Sequence, residues 1–272
     1  MMIERMILSQ SSLQDYHDCP RRFELRYIQR LVFPAIETEP ALENEKHQQE
    51  GIYFHRLVQQ FLMGIPEQRI KELANTSDLK RWWNNFSSQI EDLTKLEATK
   101  PEITLSAPLG RFRLAAKYDL IGFTAEGRAV IYDWKTYRKR PKNEWLHVRW
   151  QTRVYRALLV KAGAHFNRNI PIAPKQVEMV YWFADFPSEP ARFTYRTDQF
   201  DRDWEMLNRL AEEIASASSF PLTEDRMKCS FCPYRSYCDR GVRAGESMDA
   251  ELEAEAEESF DLDFEQIGEI AF

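Results

Sequence analysis

Apolar positions near the start of the chain fall into helical spacing. Ser11-Ser12-Leu13-Gln14 has the form of a capping box and predicts a short first helix. Pro20 suits the first position of a second helix, whose apolar stripe would carry Phe23, Tyr27, Ile28 and Leu31. Residues 33–44 hold two prolines and several acidic side chains and predict a loop. Helical spacing resumes from about Lys46 to Met63, with Phe54, Leu57, Val58 and Phe61 inward. A further helical stretch over 67–97 carries Leu79, Trp82, Trp83, Phe86 and Ile90.

The period then changes to two. Glu102–Ala107, Phe112–Gly122 and Ala129–Lys135 predict three successive strands, with turns at Pro108-Leu109-Gly110 and Ala125-Glu126-Gly127. A helix is predicted over 143–162, a strongly apolar strand over 176–184, a shorter strand over 191–196 and a helix over 198–216. That order describes an α/β fold, a mixed sheet flanked by helices, with no internal repeat.

A chain of 272 residues can bury one substantial core. No apolar run approaches the ~20 residues that span a bilayer, and no stretch at the start is long enough for a signal peptide. The expected location is cytoplasmic, where reducing conditions favour thiolate ligands over disulfides. The formal charge of −6 is uneven along the chain, because residues 246–272 hold eleven acidic and no basic side chains. The rest carries 37 basic against 32 acidic groups, a balance of +5 that suits contact with a polyanion.

Candidate chemistry lies in the strands. Asp133 and Lys135 share one face of their strand, while Val130, Tyr132 and Trp134 share the other. Asp119 lies late in the preceding strand, which a short turn should pair antiparallel with this one. Two carboxylates would then meet beside an ammonium group. Like charges held so close call for a cation, and Mg²⁺ or Mn²⁺ with oxygen ligands answers that need. Such a metal can activate water and stabilise a phosphodiester transition state. An exposed strand face with ordinary ion pairs would carry the same tripeptide.

Asp119, then Asp133-Trp134-Lys135, then Gln151 and Tyr155 four residues apart on the next helix together resemble the PD-(D/E)XK nuclease superfamily. Gln151 and Tyr155 match the QxxxY motif of its RecB-like branch, and Gly51-Ile52-Tyr53-Phe54-His55 matches that branch's upstream histidine motif. The resemblance spans roughly residues 9–240 and implies a restriction-endonuclease-like fold. It implies His55, Asp119, Asp133 and the Trp134 carbonyl as metal ligands, Lys135 as catalytic lysine, and Gln151 and Tyr155 as positioning groups. A nitrogen ligand would shift preference somewhat toward Mn²⁺.

Cys229, Cys232 and Cys238 form a C-x2-C-x5-C cluster, and Cys19 stands 210 residues before Cys229. Four thiolates suit either Zn²⁺ or an iron–sulfur cluster. The split of one and three resembles the iron–sulfur members of the RecB-like group: AddB, exonuclease V and the CRISPR-associated exonucleases. That resemblance implies a [4Fe-4S] staple joining the N- and C-terminal segments.

Arg138, Lys139 and Arg140 follow the candidate catalytic strand, and Arg149, Arg153 and Arg156 lie on the next helix, where they could track phosphates. Tyr137, Trp145 and Trp150 are interleaved and could stack on bases. A solvated arginine face over core tryptophans fits the same pattern. Residues 1–245 are expected to form the nuclease domain, including the iron–sulfur segment 221–242, and 246–272 a disordered acidic tail. The tail would bind a partner, or mimic DNA and shield the basic groove. The resemblance implies a DNA nuclease acting on single-stranded or end-bearing DNA in repair, recombination or CRISPR adaptation, with a helicase or adaptation proteins as partners and no membrane. The rival function is a non-catalytic DNA-binding scaffold that retains the fold.

Overall fold

The computed structural model describes residues 6–32, 39–89, 91–230 and 232–241. The predicted acidic tail lies outside them, as do Ile90 and the first half, 33–38, of the predicted loop over 33–44. No described helix is long and apolar enough to cross a membrane.

The chain opens with strand β1 (Ile7–Leu8) and helix α1 (Gln10–Asp18). The cap of α1 is Ser9, whose hydroxyl accepts the Ser12 N–H while the Ser12 hydroxyl closes back on Ser9. The box therefore lies two residues before the predicted one, because Ser11 is the second helical position and not the cap. Helix α2 (Pro20–Phe23) runs into a π turn over Glu24–Ile28. Helix α3 (Glu39–Leu62) begins several residues earlier than predicted, taking in Pro40, which the first turn tolerates. The predicted helix over 67–97 is three pieces: α4 (Glu67–Leu73), α5 (Ser77–Ser87) and α6 (Glu91–Thr94). Thr76 starts α5 by accepting the Leu79 N–H.

Strands β2 (Leu96–Leu109), β3 (Phe112–Thr124) and β4 (Ala129–Lys135) follow. Next come α7 (Asn143–Val148), α8 (Trp150–Ala162), β5 (Val177–Phe183), β6 (Ala191–Thr194) and α9 (Thr197–Ser216). The one helix predicted over 143–162 is broken at Arg149, whose ψ of 145° is extended and resets the chain before Gln151.

The six strands form one mixed sheet of order β1-β3-β4-β5-β6, with β2 also on β3. β3 and β4 are antiparallel, as the short turn between them dictates, and β4 and β5 are parallel. Alternation sends Ile131, Met179 and Tyr181 to a core shared with α8 and α9, and Val130, Tyr132, Trp134 and Trp182 to a second core. That second core holds Phe54 of α3 and Trp82, Trp83 and Phe86 of α5. The molecule is thus a mixed sheet with helices on both faces.

One irregularity sits in β3. Leu114, Ala116 and Tyr118 face the α8 side, but further along the strand Ile121 and Phe123 do, while Leu120 faces the tryptophans. The inward parity therefore switches around Asp119. Opposite the switch, between the pairs Pro101↔Leu120 and Ile103↔Tyr118, Glu102 has a left-handed φ of 50°. Non-glycine residues seldom adopt that conformation.

Gly51 lets α3 approach the end of β4. A Cβ there would sit 2.8 Å from the Thr136 hydroxyl. Gly51→Ala is expected to lower stability by about 1–3 kcal/mol through overpacking. A thermal melt checks this, and Thr136→Ala in the same chain should return most of the loss; an unchanged double mutant would place the strain elsewhere.

Candidate active site

The parity switch and the alternation of β4 bring three carboxylates to one end of the sheet. Asp133 projects toward α8 and is 2% exposed. Its Oδ1 accepts from Gln151 Nε2 at 2.8 Å, which the helix break at Arg149 places in the first turn of α8. Lys135 Nζ lies 2.9 Å from Oδ2 and is its ion-pair partner. Burial pushes the Asp133 carboxyl up to about 7; Lys135 opposes the rise and Asp119 adds to it.

Asp119 accepts the Trp134 N–H at 2.7 Å through Oδ2, and its Oδ1 lies 3.3 Å from His55 Nδ1 on α3. Burial pushes its carboxyl up, but His55, Lys135 and the Trp134 N–H outweigh that and hold it below the usual range. Glu102 completes the group: one ligand atom each from His55, Glu102 and Asp119 lie within 4.8 Å of one another. Burial and Asp119 raise the Glu102 carboxyl against the pull of Lys117, 2.6 Å away. Nothing in the sequence marks Glu102 as a site residue. It stands in a strand at no motif spacing, and only the left-handed turn of its backbone marks it.

Tyr155 packs its ring on Tyr118 with centroids 4.7 Å apart, and its hydroxyl, beside Gln151, is driven well up by burial and by Asp133 and Asp119. The expected group of His55, Asp119, Asp133, Lys135, Gln151 and Tyr155 therefore converges, with Glu102 added. The Trp134 carbonyl belongs to the same strand end.

The expected nucleic-acid contacts fare differently. Arg138 and Lys139 are exposed after β4. Arg140 is committed to the fold: it donates to the Glu189 and Pro141 carbonyls and the Asn143 side chain, and covers the Phe183 ring. Arg149 lies over Trp145, 4.4 Å from the ring centre. Arg153 and Arg156 leave α8 away from Gln151, toward α9. Tyr137 and Trp150 are core residues, 5% and 6% exposed, and not stacking platforms. Their aromatic surface packs the sheet-facing side of the helices, which interleaving with arginines concealed.

Cys19 separates α1 from α2 and lines one cavity together with Cys229, Cys232 and Cys238. Burial and the sulfurs of Cys19 and Cys229 push the Cys238 thiol up. Among the described residues no three of these sulfurs lie mutually within 4.8 Å. Direct contacts hold the two segments together: Lys228 to Asp18 at 2.9 Å, the Arg21 N–H to the Pro221 carbonyl, and the Tyr234 hydroxyl to the Leu31 carbonyl. Arg240 donates to Cys229 Sγ at 3.0 Å.

A family model described as the PD-(D/E)XK nuclease superfamily matches residues 7–239. Among solved structures, the chain is similar to SSO0001, at 14% identity over 87% of each chain with a TM-score of 0.41. It is also similar to a candidate exonuclease from Eubacterium rectale, at 11% identity over 89% of this chain and 91% of that one, with a TM-score of 0.48. Comparison with curated proteins returns no match.

Proposed function

The chain belongs to the PD-(D/E)XK nuclease superfamily, and on that premise we propose that it is a divalent-metal-dependent deoxyribonuclease acting on single-stranded DNA or DNA ends. The carrying observation is the meeting of buried carboxylates: Asp133, 2% exposed and in the field of Asp119, beside the close group of His55, Glu102 and Asp119, with Lys135 as the ammonium at 2.9 Å. Buried like charges of this kind call for a cation. The donors fit a hard divalent ion: carboxylates of Asp119, Asp133 and Glu102, the His55 ring and the Trp134 carbonyl would hold Mg²⁺ or Mn²⁺. When bound, such an ion lowers the pKa of water and offsets charge on the phosphodiester. Lys135 is placed to stabilise negative charge developing beside Asp133. Gln151 holds the Asp133 carboxylate from the α8 side, and the Tyr155 hydroxyl in turn holds Gln151. The exposed Arg138 and Lys139 are the candidate contacts for the DNA backbone.

The four cysteines are proposed to hold a [4Fe-4S] cluster. Tetrahedral zinc with ~2.3 Å bonds would draw the sulfurs to roughly 3.8 Å from one another. What supports a shared group is that all four cysteines line one cavity. Both parts favour the iron–sulfur members of the RecB-like branch, and thus a setting in repair, recombination or CRISPR adaptation where a helicase or adaptation protein supplies the DNA end.

Cleavage of end-labelled single- and double-stranded DNA with Mg²⁺ or Mn²⁺ tests the activity. Metal-dependent cleavage that begins at ends and is lost in Asp133→Asn is expected; no cleavage of any substrate by wild type would remove the proposal. Glu102→Gln should weaken Mn²⁺ binding about tenfold or more, read by calorimetric titration. An unchanged affinity would take Glu102 out of the ligand set.

A further inference from the structure

Helix α8 presents two working faces. Gln151 turns to the carboxylates, while Arg153 and Arg156 line a cavity of about 210 Å³ between α8 and α9, on the other side of the helix. His147 of α7 and Gln199, Arg202, Asp203 and Met206 of α9 complete its wall. Three guanidinium groups thus face one carboxylate.

That carboxylate does not satisfy them. The Arg156 side chain is 2% exposed, and its Nη2 reaches Asp203 only at 3.9 Å. Its Nε and Nη1 donate to the neutral carbonyls of Thr152 and Thr194. Arg153 is also 3.9 Å from Asp203, and its Nη1 rests 2.7 Å from the Met206 thioether, a weak acceptor. Asp203 instead accepts the Tyr195 hydroxyl at 2.9 Å. Arg202, 63% exposed, stands at the rim paired with Asp198. Partial burial, and then Arg156 and Arg153, hold the His147 ring below its usual pKa, as a positive field should. Arg156 also lies over the Tyr195 ring, 4.4 Å from its centre, but one carboxylate at 3.9 Å is shared by two arginines, and a buried cation is stabilised when a further anion joins it.

We propose that this cavity binds a phosphate group. Guanidinium N–H groups match the oxygens of a tetrahedral oxyanion, and Arg153 and Arg156, one helical turn apart, line the same space, Arg156 through its Nη2. The volume is smaller than the ~300 Å³ at which pockets for drug-sized ligands begin, so it suits the phosphate itself. The remainder of an ester would extend past Arg202 into solvent. Inorganic phosphate and the terminal phosphate of a nucleic acid share this chemistry. The cavity does not depend on the nuclease assignment.

The test is calorimetric titration of the full chain with inorganic phosphate, at constant ionic strength and without added divalent metal. Saturable binding with one phosphate per chain is expected, weakened about tenfold or more in Arg153→Gln and in Arg202→Gln. Arg202→Gln alters an exposed side chain, so a folding defect does not confound it, and thermal melts of each variant confirm that. Competition by 5′-phosphorylated against 5′-hydroxyl oligonucleotides then separates the sources: preference for the phosphorylated form assigns a nucleic-acid end, and equal competition assigns free phosphate. Wild type without saturable binding, or variants that bind as wild type does, would overturn the site.

Discussion

Asp133→Asn is expected to lower metal-dependent DNA cleavage by about 10³-fold or more while the domain still folds. The substitution keeps the shape of the side chain and leaves an oxygen for Gln151 Nε2, so the packing of α8 on β4 should persist. It removes the buried charge that, with Asp119, would hold a cation. Metal-assisted charge stabilisation is worth several kcal/mol, and each ~1.36 kcal/mol is tenfold in rate. Lys135, 2.9 Å from Asp133 and 6% exposed, loses its counter-ion in the same step. A modest fall in melting temperature is therefore expected alongside the lost activity. End-labelled substrate and circular dichroism read the two effects separately. Wild-type rates in this variant would remove the carboxylate pair from the chemistry.

Cys232→Ser is expected to act on the cysteine-lined cavity instead. Anaerobically purified wild type should carry iron and sulfide with a broad absorption near ~400 nm, and the variant should lose most of it. Cys232 is 8% exposed and packs with Leu25 and Tyr234, so its loss opens the junction between the two chain segments. A long-range crosslink of this kind is worth ~2–5 kcal/mol, or a fall of about 5–15 °C in melting temperature for a domain of this size. Asp133→Asn should leave the absorption untouched, which separates the two centres. Colourless wild type with one equivalent of zinc would replace the cluster by a zinc site.

The pairing of Asp133 with Lys135 was legible in the sequence because strand alternation is a fixed period. Gln151 and Tyr155 were legible because four residues return to one face of a helix. What escaped was set by backbone conformation at single residues. The extended Arg149 divides what composition alone paints as one helix. The left-handed Glu102 and the switch of parity at Asp119 have no signature in side-chain type, yet they decide which carboxylates meet. Burial of Trp150 and Tyr137 was open for another reason: an aromatic beside arginines has the same local pattern in a core as on a DNA-binding face. The one-and-three division of the cysteines, by contrast, announced the junction they line.

That junction imposes an order on synthesis. Asp18 and Lys228, joined at 2.9 Å, are separated by 210 positions of chain. Lengthening a loop adds little to its closure entropy, but contacts so distant in sequence form late. On the ribosome, His55, Glu102, Asp119, Asp133 and Gln151 all emerge well before Lys228 can reach Asp18. A chain stopped prematurely in that interval therefore holds every residue of the candidate metal site with its two flanks still unfastened.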